Sequence, residues 1–252
     1  MKKHIFIYIF LSLFDSRTLA QESAHLNLWG RASVAYLHGK KWKYEAEIQH
    51  RTQNDFPANE RNVLAHNLLN SIRTWAHFQY NEALSLSLSP FAYYWHNRIL
   101  IAEADKNSRT IQELRFSAAL DAKHELTEKL WLMNRTCMEY RDFQNTTTDI
   151  TRLRIRIGLR YELTEKLNLV LYEELFLNLK GAERTHIFDH ERIAFLINYR
   201  ILEQLRLETG YMYISRLPRN TDEFLHENNF IVHVYYTLKG KQHEKQNAGK
   251  HS

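Results

Sequence analysis

The chain has 252 residues, with 34 Lys and Arg against 29 Asp and Glu and a formal net charge of +5. A hydrophobic content of 44%, 13% of residues aromatic and no low-complexity tract exclude wholesale disorder. The single cysteine, Cys137, excludes a disulfide framework and a cysteine-rich zinc module, and no run of 18 apolar residues offers a membrane-spanning helix.

The chain opens with Lys2 and Lys3, then the apolar stretch Ile5 to Phe14, then Thr18-Leu19-Ala20 before Gln21. This is the layout of a secretory signal peptide over residues 1–20, and the apolar stretch is too short to span a bilayer. Cleavage removes Lys2, Lys3, Arg17 and Asp15 and leaves a mature charge of +3. The remaining basic residues are not gathered in one stretch, so no nucleic-acid partner is expected.

Beyond residue 25 the pattern has a period of two. In Thr151 to Tyr161, Arg152, Arg154, Arg156, Gly158 and Arg160 share one parity, while Leu153, Ile155, Ile157, Leu159 and Tyr161 share the other. A strand sorts such residues onto two faces; a helix would scatter them. The same sorting marks eleven candidate strands near 26–38, 41–51, 67–80, 83–95, 111–122, 129–141, 150–161, 166–178, 191–201, 204–214 and 228–238. No helix competes convincingly; residues 100–109 are the nearest candidate. Pro90 falls inside the fourth run and predicts a bulge or an end there. Short connections alternate with longer polar ones near 52–66, 96–110, 142–149, 179–190 and 215–227, and ELTEKL occurs twice, from Glu125 and from Glu162, each copy bracketing a short turn. Short turns at one end and long loops at the other are the arrangement of a transmembrane β-barrel.

The two faces differ sharply. The polar parity carries 14 basic and 7 acidic residues, an excess of seven, and the opposite parity carries one charge at strand centres, Glu173. Arginine suits bidentate pairing in confined places. The apolar parity places Tyr36, Tyr44, Phe78, Tyr80, Tyr94, Tyr140, Tyr161, Tyr199, Tyr211, Tyr213 and Tyr236 near strand ends, as interfacial aromatic girdles would require. The expected lumen network is Glu45, Glu47, Arg51, Arg115, Arg135, Glu139, Arg141, Arg152, Arg154, Arg156, Glu174, Asn178, Arg192, Arg206 and Glu208. Glu174 and Asn178 share a parity, with Arg192 or Arg206 as candidate partners. Cys137 points inward as a small filler.

Several stretches together resemble the bacterial outer-membrane barrels grouped as domain of unknown function 2490. They are Tyr44–Arg51 (YEAEIQHR), Arg135-x3-Glu139-x-Arg141, Arg152-x-Arg154-x-Arg156, Glu174-Leu175-Phe176-x-Asn178, Phe188-Asp189-His190-Glu191-Arg192 and Leu207-Glu208-x-Gly210-Tyr211-Met212. The resemblance covers roughly Leu28 to Leu238. It implies an outer-membrane location in a Gram-negative bacterium and no established activity. Barrels of this kind usually end on an aromatic residue read by the assembly machinery, whereas here Tyr236-Thr237-Leu238 is followed by a polar tail.

The expected architecture is therefore all-β: a single antiparallel up-and-down transmembrane β-barrel over residues 21–239, after a cleaved signal peptide at 1–20 and before a polar tail at 240–252. Single-chain bacterial barrels have even strand numbers, which turns eleven candidates into an expectation of ten or twelve. The expected function is a narrow anion-preferring pore, or a structural or binding barrel with an Arg/Glu-lined lumen. Its expected partners are outer-membrane lipid, the barrel-assembly machinery and small anionic solutes. The alternatives are an outer-membrane enzyme acting on lipid or glycan and a soluble periplasmic β-barrel. No nucleophile elbow or triad spacing stands out, so no catalytic residue and no cofactor are expected. His186, Asp189 and His190 approach a metal-ligand set. Their spacing at a strand–loop junction does not bring both rings to one face, so no metal site is expected.

Overall fold

A computed structural model describes residues 25–55, 61–144, 148–218 and 223–239. The expected signal peptide and the polar tail at 240–252 lie outside the described residues. The strands are β1 (His25–His38), β2 (Trp42–Gln53), β3 (His66–Gln79), β4 (Leu84–His96), β5 (Ile111–Thr127), β6 (Leu130–Phe143), β7 (Ile150–Glu162), β8 (Leu167–Lys180), β9 (Phe188–Arg200), β10 (Leu205–Arg216) and β11 (Leu225–Lys239). Two short 3-10 segments, Glu103–Asn107 and Arg184–His186, are the helical elements among the described residues.

Each strand pairs antiparallel with its neighbour in sequence, and the sheet closes where β1 meets β11. That closing pair is parallel, from His25 opposite Glu227 to Leu37 opposite Lys239. The expectation of ten or twelve strands is thus corrected to eleven. The even-number rule holds when the first and last strands run in opposite directions; in a meander of odd count they run the same way, and the seam is parallel. Side chains stitch the seam from within. Asn27 Nδ2 donates to Glu227 Oε2 at 3.0 Å and to Asn229 Oδ1 at 3.2 Å, and Ser33 Oγ meets His233 Nε2 at 2.8 Å.

The short turns lie at 39–41, 80–83, 128–129, 163–166 and 201–204, all at one end of the barrel. The first turns on Gly39, whose φ of 60° is costly for any residue with a Cβ. Around the outside, Tyr36, Trp42, Tyr44, Tyr161, Tyr199 and Tyr236 are exposed near the short turns, and Trp95, Tyr140, Tyr211 and Phe230 are exposed toward the long loops. Between these two girdles the outer face carries exposed aliphatic side chains such as Ile48 (60%), Leu88 (54%) and Ile157. The buried side chains of the inner face are in large part polar or charged.

Bulges decide where this alternation breaks. At Pro90 and Phe91 the β4 register shifts against both β3 and β5, so β4 carries one extra residue. Before the bulge Ser85, Ser87 and Ser89 share the inner parity; after it, Ala92, Tyr94 and His96 do. Tyr94, expected in the outer girdle, is therefore a correction: it is 5% exposed inside the barrel, with the Arg115 guanidinium 4.0 Å from its ring centre. Proline cannot donate a ladder hydrogen bond, which is why the strand bulges there. A second bulge, at Asp189 in β9 opposite Phe176 and Leu177, lets Asp189 and His190 both reach inward.

Candidate lumen site

A cavity of about 740 Å³ occupies the barrel interior. Fifteen Lys and Arg side chains line it, against five carboxylates, Glu45, Glu47, Asp121, Glu208 and Glu227. Four more carboxylates lie just behind these arginines. Glu113, Glu139 and Glu174 are almost fully buried, and Asp189 joins them at the long-loop side.

Strand register explains the network. Glu139 on β6 faces Arg152 on β7, and Glu174 on β8 faces Arg156 on β7 and Arg192 on β9. Glu139 contacts Arg152 and Arg154 at 2.6 Å each, Arg115 at 3.6 Å and Arg73 at 4.0 Å. Glu113 contacts Arg115 at 2.6 Å, Arg141 at 2.8 Å and His96 at 2.8 Å. Glu174 contacts Arg154 at 2.8 Å, Arg156 at 3.1 Å and Arg192 at 3.7 Å. Three buried carboxylates thus share seven guanidinium groups. Burying charge is costly unless it is paired and hydrogen-bonded, and sharing meets that requirement for the carboxylates more fully than for the arginines. The nitrogens Arg31 Nε, Arg156 Nε and Arg192 Nε are buried with no hydrogen-bond partner.

The structure places all fifteen residues of the expected lumen network on the inner face. Arg135 pairs with Asp121 at 2.7 Å, and Glu47 with Arg31 at 3.3 Å. Glu45 lies 2.9 Å from Lys43 and 3.7 Å from His77. Asn178 instead donates to the backbone oxygen of His186 at 3.1 Å. Arg206 does not reach Glu174; it sits over the Tyr235 ring at 4.2 Å, because β10 and β8 are separated by β9. Arg200, one of the 14 basic residues of the polar parity, lies at the β9 end and donates to the Glu165 backbone oxygen. Cys137 is buried on the inner side.

Glu113 and Arg73 are among the charged residues of the polar parity, but nothing in the sequence marks them as centres of the network. Nor does it pick out Trp29, His96, Ser33, Arg216, Glu227 or His233. Their signal was the parity alone, which does not separate a network residue from any other inward side chain. His186, Asp189 and His190 go separate ways: Asp189 Oδ2 binds Arg152 at 2.6 Å and His190 at 3.0 Å, while His186 Nδ1 meets Thr185. Among the described residues no group of three or more His, Cys, Asp or Glu is arranged to hold a metal.

The long-loop end is partly filled. Gln53 Nε2 donates to the Arg98 oxygen at 2.8 Å, and its Oε1 accepts from the Leu100 amide at 3.1 Å, drawing the segment after β4 inward. Ile99 packs on Leu68, Leu69, Ala92 and Tyr94 and lines the cavity. The 3-10 turn that follows is held by Asp105, whose carboxylate accepts from the Ile101 and Ala102 amides at 3.1 and 3.0 Å.

A closed β-barrel with an apolar, girdled exterior and a charged, cavity-bearing interior defines an inside-out barrel protein. The chain belongs to the family described as Protein of unknown function (DUF2490), which it matches over residues 26–224. Four solved chains match in fold. One, described as "NanC porin structure in rhombohedral crystal form", is 11% identical, covering 85% of this chain and 99% of that one with a TM-score of 0.48. No curated protein matches.

Proposed function

We propose that the chain is an exported outer-membrane barrel whose lumen admits small anionic solutes. The observation that carries this reading is the inversion of polarity. Large apolar side chains cover the outside, while fifteen basic groups face nine carboxylates inside. A soluble barrel would bury the apolar face and wet the charged one; a membrane barrel does the reverse. The excess of cationic over anionic groups in a confined space favours anions over cations. On this reading the partners are outer-membrane lipid, the barrel-assembly machinery and small anions, with no cofactor. Planar-bilayer recording of the reconstituted chain tests it. Conductance with anion selectivity is expected, and its absence, or cation selectivity, contradicts the pore.

A second reading, hydrolysis inside the lumen, is favoured by one group of residues. Ser33 Oγ lies 2.8 Å from His233 Nε2, and His233 Nδ1 lies 3.7 Å from Glu208 Oε1. The order is that of a nucleophile, a base and an orienting acid. Against it, Ser87, His77 and Glu45 form a similar chain with Ser87 also donating to Asp121, so such relays recur here as ordinary polar networks. Labelling of Ser33 by a fluorophosphonate would favour hydrolysis; an unlabelled Ser33 removes it.

A further inference from the structure

The lumen wall has two characters. From β3 to β7 it carries arginines tied to Glu113, Glu139 and Glu174. From β8 round to β1, Tyr172, Leu196, Met212 and Ile231 form a buried apolar cluster with Trp29 and also line the cavity. Apolar surface facing a hydrated cavity is unfavourable, so this wall suits a ligand with an apolar part.

Trp29 sits where the two walls meet. The Arg51 guanidinium lies 3.2 Å from its ring centre, and that of Arg192, on β9, lies 5.3 Å away. Neither cation is well neutralised. The Arg51 guanidinium lies against the neutral side-chain amide of Gln49, and among the described residues no carboxylate lies within ion-pair distance of it. Arg192 has Glu174 at 3.7 Å, but Arg154 and Arg156 hold that carboxylate more closely. Arg192 is nine-tenths buried, and its Nε has no partner. His190, two residues away and 1% exposed, also leaves its Nε2 unpartnered while lining the same cavity.

We propose that Arg51 and Arg192, flanking Trp29, bind the carboxylate of a small amphiphilic organic acid whose apolar body rests on Leu196, Met212 and Ile231. Two guanidinium groups offer the forked donors that a carboxylate accepts. The cavity volume lies within the range of small-molecule sites. The proposal rests on the anion-accepting lumen described above and narrows it from anions in general to carboxylates with a hydrophobic body.

The test uses the mature chain in nanodiscs, with benzoate and cyclohexanecarboxylate as probes and acetate and inorganic phosphate as comparisons. Binding is read by titration calorimetry and by Trp29 fluorescence in a variant in which Trp42, Trp75, Trp95 and Trp131 are phenylalanine. Benzoate is expected to bind saturably, about tenfold or more tighter than acetate. Arg51→Gln and Arg192→Gln should each weaken benzoate about tenfold or more. Ile231→Ser should weaken benzoate and leave acetate unchanged. Equal affinities for benzoate and acetate, or full affinity in both glutamine variants, overturn the proposal. Should neither glutamine variant fold, Ile231→Ser decides: unchanged benzoate affinity overturns it. Anion conduction without benzoate preference sinks this site and leaves the pore standing. Benzoate binding at Trp29 without conduction supports the site and removes the pore.

Discussion

Arg152 and Glu139 face each other in register across β6 and β7, and Arg152 donates from Nε at 3.0 Å and from Nη2 at 2.6 Å to the same oxygen of Glu139. The other oxygen of Glu139 receives Arg154 at 2.6 Å. Glu139 is 0% exposed, so water cannot replace it. Glu139→Gln keeps the volume and removes the charge from between its arginines. Breaking a buried ion pair at one partner costs about 3–5 kcal/mol. The temperature at which the folded band disappears in a heat-modifiability gel should fall sharply for Glu139→Gln. It should fall much less for Glu203→Gln, whose partner Lys239 lies at the exposed barrel rim. Equal melting of both variants contradicts the network as a stabilising element.

Ile48 lies midway along β2 and points out of the barrel. An arginine at mid-membrane on the lipid face costs about 2–4 kcal/mol. Ile48→Arg should therefore reduce the yield of chain folded into liposomes. If this face met water instead, the same change would be close to neutral, and an unchanged yield would argue for a soluble barrel.

Gly158 lies on the inner face of β7 against Tyr172 of β8. A Cβ there would sit 2.6 Å from the Tyr172 Cβ and 2.7 Å from the Leu171 backbone oxygen. Backbone must move to admit it, and overpacking of this kind costs about 1–3 kcal/mol. Gly158→Ala should lower thermal stability, and Tyr172→Ala should not restore it, because the obstructing atom is shared by both residues. Rescue by Tyr172→Ala would place the crowding in the ring instead.

The turn after Arg98 carries its own pH dependence. Slight burial opposes ionisation of Asp105, but the amides of Ala102 and Ile101 and the Arg98 guanidinium outweigh it and hold the carboxyl below its usual range. A depressed acid stabilises its structure above the unfolded value and loses that contribution as pH falls through the folded one. The turn should stay ordered at neutral pH and loosen only in strong acid. Asp105→Ala should loosen it at neutral pH, seen as faster hydrogen exchange at Ile101 and Ala102; unchanged exchange contradicts the pin.

Much of this architecture is legible in the sequence because a strand's period of two is rigid: a run such as Arg152-x-Arg154-x-Arg156 can point its arginines only one way. The period fails where the ladder itself slips. Tyr94 turned inward because Pro90 forces an extra residue into β4, and Asp189 joined His190 inside through a bulge that no local pattern marks. The parallel seam depends on how the chain's two ends meet, which is a property of the closed sheet and of no single segment. The apolar wall escaped notice for a different reason. In β11, Ile231 lies between Phe230 and Val232, so both faces are apolar there and alternation carries little information. Partner choice beyond neighbouring strands, such as Glu139 on β6 reaching Arg73 on β3 at 4.0 Å, also needs the curvature of the closed barrel.

The arrangement of tryptophans allows the inversion of polarity to be measured directly. Trp42 and Trp95 are exposed on the outside, while Trp29, Trp75 and Trp131 lie inside, each within 5.5 Å of a cationic group. Single-tryptophan variants retaining Trp42, Trp95, Trp29 or Trp131 can be reconstituted into bilayers containing brominated lipid. Strong quenching of Trp42 and Trp95 and little quenching of Trp29 and Trp131 are expected. Equal quenching at all four positions, or protection of Trp42 and Trp95, would contradict an outer face that meets lipid.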